Sequence, residues 1–180
     1  MNKYKVCVYA ICKNEAKFVD SWVDSMNEAD LIVVTDTGST DGTVERLRER
    51  GVIVFQEIIK PWRFDVARNI SLSHVPEDTD ICVCTDLDEV FQKGWRTRLE
   101  SKWGKGVTMA NYLYNWSHRQ DGAPDVQINY FKVHSRFDYV WQYPIHECLR
   151  FAGKGAERKV FVDGMVLDHY PDPEKSRGSY

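Results

Sequence analysis

Two aspartates two residues apart, Asp86 and Asp88, stand at the end of the apolar run ICVCTDLDEVF. On an extended segment, residues i and i+2 project to the same side, so the two carboxylates face one space. Hard oxygen donors at the end of a strand suit Mg²⁺ or Mn²⁺. Such ions keep several waters and share a substrate's phosphates, so two carboxylates suffice. Glu89 follows directly and either caps the next helix or supports Asp88. A second carboxylate, Asp36, ends the run LIVVTDTGSTDGT. An acid at a strand's carboxyl end accepts hydrogen bonds from a ribose or a base and repels direct phosphate contact. Asp41, further along, reads as a helix cap. In WRFDVARN, Asp65 and Arg68 are three apart, which places them on a shared helix face. They read either as a surface ion pair or as an acid and a base at a nucleotide pocket. Later, PIHE sets His146 beside Glu147, and LDHY carries His169. His74, His118 and His134 read as structural or exposed.

These side chains need elements to hold them. Residues 5–12 read as a strand. Asn14 is placed to cap a helix running to about Asn27, with Phe18, Trp22 and Met26 as its apolar stripe. Leu31–Thr35 reads as a buried strand, and residues 43–50 as a helix with Gly51 as a left-handed C-cap. Residues 52–57 form a third strand, 65–73 a short helix, and 81–85 a fourth strand. Strand and helix alternating at this spacing imply a parallel sheet with right-handed crossovers. Ligands bind at the carboxyl ends of such strands. After residue 105 the pattern changes to longer, aromatic strands over 107–114 and 126–134, joined by a turn at 120–124. The expected fold class is therefore α/β. A mostly parallel, helix-flanked nucleotide-binding half (about 1–105) is followed by a mixed or antiparallel half (about 106–180), in one domain of 180 residues.

Composition narrows the function. Hydrophobic residues make up 43% and charged residues 28%, ordinary for a globular domain and against intrinsic disorder. A net charge of −3 with no long basic run speaks against nucleic acid as the partner. The apolar run 6–12 is too short for a membrane span. Five cysteines, an odd number set mostly in apolar surroundings, read as buried thiols rather than a disulfide framework. Reduced thiols and no recognisable targeting segment together predict the cytoplasm. The 13% aromatic content belongs mostly in the core, with some rings available to stack on sugars.

Taken together, AICKNEAKFVDSW, VVTDTGSTDGT, WRFDVARN and TDLDEVF resemble the family 2 glycosyltransferases of the GT-A fold. The resemblance is strong over about residues 5–92. It extends loosely through PIHE, a His-Glu pair similar to that of the lipopolysaccharide-core glucosyltransferases, to DHYPDPEKS. It implies a metal-dependent inverting transfer from a UDP-sugar to a hydroxyl acceptor on a glycan, a lipid-linked sugar or a protein, with peripheral membrane contact compatible. It implies that Ala10, Ile11 and Glu15 border the nucleotide and that Asp36 contacts the uracil or ribose. Asp65 and Arg68 complete that pocket. Asp86 and Asp88 match the D-x-D motif, His169 adds a ligand to Mn²⁺ or Mg²⁺, and Lys175 or Arg177 reaches the diphosphate. Glu147 is the candidate base, with His146 orienting it or binding acceptor. An ion pair of Glu147 with Arg150 is the plainer reading of that glutamate, and Asp88 and Asp125 are alternative bases. The chain ends eleven residues past His169, where family members carry more, which implies a minimal enzyme or a piece lacking acceptor elements. A single acid at Thr35-Asp36-Thr37, where many members have two, leaves base selectivity less defined than metal use. Two other readings are a sugar-1-phosphate nucleotidyltransferase and a nucleotide-sugar or glycan-binding module without turnover. The first would call for a glycine- and arginine-rich phosphate loop where this chain has Cys12-Lys13-Asn14-Glu15.

Overall fold

A computed structural model describes residues 3–173. Lys175 and Arg177 lie outside the described residues. The chain opens with β1 (Val6–Cys12), every residue of which is buried. A short 3-10 turn (Ala16–Phe18) and α1 (Val19–Met26) follow. Then come β2 (Leu31–Asp36), α2 (Thr43–Glu49), β3 (Ile53–Gln56), α3 (Phe64–Ser73) and β4 (Ile81–Cys84). Short β5 (Glu89–Phe91) and α4 (Trp95–Lys102) lead into β6 (Met109–His118) and β7 (Pro124–Ser135). The chain continues through β8 (Tyr139–Gln142), β9 (Cys148–Phe151) and β10 (Lys159–His169).

One eight-stranded sheet runs in the order β3-β2-β1-β4-β7-β6-β10-β5, and β8 pairs with β9 in a separate hairpin. The first four strands are parallel, as their crossover helices require. β7 runs antiparallel to both β4 and β6, β10 is parallel to β6, and β5 is antiparallel to β10. The expected α/β class, with a helix-flanked parallel half and a mixed half, is what the strands form. No helix among the described residues is long and apolar enough to cross a membrane.

Several local expectations change. Asn14 does not cap a helix: it sits at φ 55°, and its side-chain oxygen accepts from the Thr40 amide at 2.8 Å. The helix starts later because the 14–18 segment is stitched to the 39–43 loop, where Asp41 accepts from the Ala16 and Thr43 amides. Gly51 does take the left-handed C-terminal position, at φ 79°. Cys7, Cys12, Cys82 and Cys84 are buried free thiols.

β10 carries a break in register that bears on the site. Five steps along it, from Phe161 to Val166, answer two along β6, from Asn111 to Leu113. Gly164 at φ 70° makes the kink. Before it, Val160 and Val162 pack on the core; after it, Met165 and Leu167 do. The inward face has changed parity, and His169 falls on the new inward side.

A buried polar chain ties the halves together. The His134 ring nitrogen Nδ1 lies 2.8 Å from the Ser135 carbonyl, so that nitrogen carries the proton. Nε2 then accepts from the Tyr9 hydroxyl at 2.8 Å, and Tyr9 accepts from the Trp141 indole at 2.9 Å. His134 is fully buried, and that burial lowers its pKa from 6.5 to about 4. Between those values the unfolded chain takes up a proton that the folded chain refuses. Stability is therefore complete above pH 6.5 and declines as pH falls toward 4, by about 3 kcal/mol in total. Urea denaturation at pH 7.5, 6 and 5 should show that slope in the wild type and a flatter one in His134→Gln. Equal slopes would remove His134 as its source.

Candidate active site

The carboxyl ends of β1 and β4 open on a cavity of about 400 Å³, within the range of small-molecule sites. The backbone after β4 turns sharply there, and the Asp86 amide donates to Glu89 Oε2 at 2.9 Å. Both carboxylates of the D-x-D sequence reach the cavity. Asp88 Oδ2 lies 3.3 Å from His169 Nε2, and the other ring nitrogen of His169 faces the Trp116 carbonyl at 3.1 Å. Burial opposes protonation of this imidazole, but the Asp88 carboxylate outweighs it and raises the pKa. Next door, Asp168 faces the other way. It accepts from Asn115, Gln92 and His118, which fastens β6, β5 and β10 behind the histidine. His118 thereby acts structurally.

Asp86 has different company. Arg68 Nη2 donates to its Oδ1 at 2.5 Å, and Lys132 Nζ to its Oδ2 at 3.1 Å. Burial would push this carboxyl's pKa up; the two cations win and hold it well below the usual carboxylate range. Arg68 is 3% exposed and bridges to Glu147, with Nε 3.2 Å from Oε1. Its guanidinium also lies 5.5 Å from the centre of the Trp141 ring. Glu147 thus pairs with Arg68 on α3, not with Arg150, which instead lies over the Tyr143 ring. The 143–147 loop that carries His146 and Glu147 into the cavity is anchored twice. The Phe64 amide donates to the Pro144 carbonyl, and Asn69 exchanges two hydrogen bonds with the Trp141 backbone. Tyr143 and His146 both take positive φ, at 80° and 56°, a conformation costly for bulky residues that active-site loops tolerate.

The remaining anticipated residues divide. Ile11 and Glu15 line the cavity. Ala10 is fully buried behind it, with its carbonyl accepting from Ser71. Asp36 is fully buried as well; it folds back on its own loop, accepting from the Gly38 and Ser39 amides. Its neighbour Thr37 lines the cavity instead. Asp65 is turned to Arg63, at 2.7 Å, and is not among the lining residues, so the anticipated Asp65–Arg68 pair does not form. Helix α3 directs Arg68 to the cavity and Asp65 to its own first turn. Lys132 and Lys13 also line the cavity, as do Tyr114 and Trp116. Aromatic enrichment in β6 was the signal for the last two.

Among the described residues no three His, Cys, Asp or Glu side chains are grouped to hold a metal ion. Asp88 and His169 nevertheless fit a divalent ion as a pair, one hard oxygen and one imidazole nitrogen, if water and a diphosphate supply the rest.

An α/β sheet with an acidic cavity at its switch point and a mixed second half defines a GT-A-type domain. The chain belongs to glycosyl transferase family 2, whose model matches residues 7–159. No curated protein matches it significantly. Among solved structures it is similar to glucosyl-3-phosphoglycerate synthase from Mycobacterium tuberculosis in complex with Mn²⁺, UDP and glucosyl-3-phosphoglycerate. Identity is 22% and the TM-score 0.50, over 63% of this chain and 45% of that one. It is also similar to the mannosyltransferase PcManGT from Pyrobaculum calidifontis in complex with GDP-Man and Mn²⁺. There identity is 22% and the TM-score 0.48, over 64% and 36% of the two chains. For S. aureus TarS the values are 19%, 0.48, 64% and 22%. The chain spans less than half the length of each of these structures.

Proposed function

We propose that the chain is a metal-dependent glycosyltransferase that moves a sugar from a UDP-sugar to a hydroxyl acceptor with inversion. The acceptor is a glycan, a lipid-linked sugar or a protein. The observation that supports this best is the convergence of Asp88, His169, Arg68 and Glu147 on one cavity in a family 2 domain. In this reading Asp88 and His169 hold Mn²⁺ or Mg²⁺. When bound, such an ion supplies Lewis-acid neutralisation of the leaving diphosphate. The chain's own groups do the rest. Arg68, charged and fixed, keeps Asp86 and Glu147 in place. Glu147 takes the proton from the acceptor hydroxyl, and one base is enough for inversion because the ion, when bound, would take the leaving-group role that a general acid plays in inverting glycoside hydrolysis. His146 orients the acceptor beside it. Ile11 and Glu15 border the nucleotide, and Lys175 or Arg177 meets the diphosphate.

Calorimetry with UDP, with and without Mn²⁺, tests the reading. Wild-type affinity should depend on the ion. Asp88→Ala should lose at least about tenfold of that metal-dependent affinity, since even outer-shell changes at metal sites cost 10–100-fold. Metal-dependent affinity unchanged in Asp88→Ala would sink the assignment. A panel of UDP-sugars with Mn²⁺, scored for released UDP, then identifies the donor.

A further inference from the structure

A D-x-D pair would ordinarily offer two carboxylates to a cation, yet here the first is already engaged on both oxygens by Arg68 and Lys132. Glu89 is equally occupied: Tyr114 donates to Oε1 and the Asp86 amide to Oε2, each at 2.9 Å. Lys132 Nζ stands 3.9 Å from that Oε1 as well. The Lys132 side chain is 8% exposed and sits 4.9 Å above the Tyr130 ring, so its ammonium has little freedom to withdraw. Arg68 and Lys132 are the two cations among the linked acids Asp86, Glu89 and Glu147 on the cavity wall. A divalent ion arriving alone meets Asp88 and His169 but not Asp86, whose oxygens are both taken, and two protein donors leave most of its coordination unfilled. A diphosphate arriving with the ion changes the balance, because it brings negative charge toward the ammonium and oxygen donors to the metal.

We infer that Lys132 is a positioning residue that withholds Asp86 from the metal, so that the divalent ion enters together with the nucleotide diphosphate and not by itself. This rests on the glycosyltransferase reading above. Metal and nucleotide then bind with positive coupling, and each must tighten the other by the same factor.

The experiment is Mn²⁺ binding to the full chain, followed by the electron paramagnetic resonance of the free ion, with and without UDP. In the wild type, UDP should tighten Mn²⁺ by at least about tenfold. Lys132→Met should bind Mn²⁺ alone about tenfold more tightly than the wild type, and UDP should add less. Lys132→Arg, which keeps the charge, should behave as the wild type. Asp86→Asn should leave the wild-type affinity for Mn²⁺ alone unchanged but remove the gain when added to Lys132→Met. That cycle separates release of Asp86 from a general loss of positive charge. A folded Lys132→Met with unchanged affinity for Mn²⁺ alone overturns the inference, and so does a gain that survives Asp86→Asn. Should Lys132→Met fail to fold, the single Asp86→Asn variant decides. A tenfold loss of affinity for Mn²⁺ alone would place Asp86 on the metal and refute the role of Lys132, whereas no change would sustain it. A wild type that shows no Mn²⁺-dependent UDP binding defeats the glycosyltransferase reading itself, which distinguishes that failure from the failure of Lys132 alone.

Discussion

Glu147→Gln is expected to lower kcat by about 10³-fold, the middle of the range for a positioned general base. Glutamine is isosteric, and its amide oxygen can still accept from Arg68 Nε, which lies 3.2 Å away in the wild type. The cavity wall and the affinity for UDP with Mn²⁺ should therefore survive. The chemistry changes because an amide cannot take a proton from the acceptor hydroxyl. Steady-state release of UDP in the presence of acceptor measures kcat, and calorimetry of UDP supplies the control. A kcat within threefold of the wild type would acquit Glu147. Asp88 would then be the next base to test, since Asp125 is exposed on β7, with Ser117 at 3.4 Å, and is not among the cavity-lining residues.

Arg68→Met should cost about 3–5 kcal/mol of stability, because it removes the common partner of two carboxylates from a buried position. Asp86 would retain Lys132, and Glu147 would lose its ion pair. The side chain also packs beside Trp141 and reaches toward the Thr85 carbonyl, so methionine replaces its volume but not its donors. For a chain of this length the midpoint of thermal unfolding should fall by roughly 6–20 °C. Arg68→Lys should recover part of that loss, since an ammonium cannot bridge both acids in the planar geometry of a guanidinium. Thermal melts and denaturant titrations of the two variants give the values. A loss below about 1 kcal/mol in Arg68→Met would mean that the site's charges do not support the fold.

The nucleotide half was legible because its information is local. β1 and β4 are runs of buried residues and β2 ends in one, each bounded by turn-forming loops, and Asp86 and Asp88 lie where the last of those runs ends. Elements that depend on distant partners were not legible. Helix α4 has the polar sequence WRTRLESK and no clear stripe. It is held by Arg96, which donates to the Glu28 and Tyr4 carbonyls and to Asp30. β8 and β9 are four residues each and exist as a pair. Lys132 shows the limit of alternation. With Val133 buried, a half-exposed strand would turn Lys132 to solvent and Phe131 inward. The sheet is covered on both faces there, so Lys132, Val133 and His134 are all buried, and Phe131 is 43% exposed. Asp36 shows a different limit. A strand-end carboxylate can serve a ligand or close its own turn, and the residue type alone does not choose between them. Glu147 found Arg68 across 79 positions of sequence, a partner with no local signature.

The glycine kink in β10 makes the length of that ribbon as binding a constraint as its composition. Because an uneven surplus of residues reverses which side chains look inward, the imidazole at position 169 owes to counting the side of the strand from which it reaches its partners. Trimming or padding the 162–165 stretch by one residue would aim Asp168 at the ligand space and leave the histidine outside it, with every amino acid still present. Variation by two residues would spare the geometry. In this strand, then, parity is inherited along with chemistry.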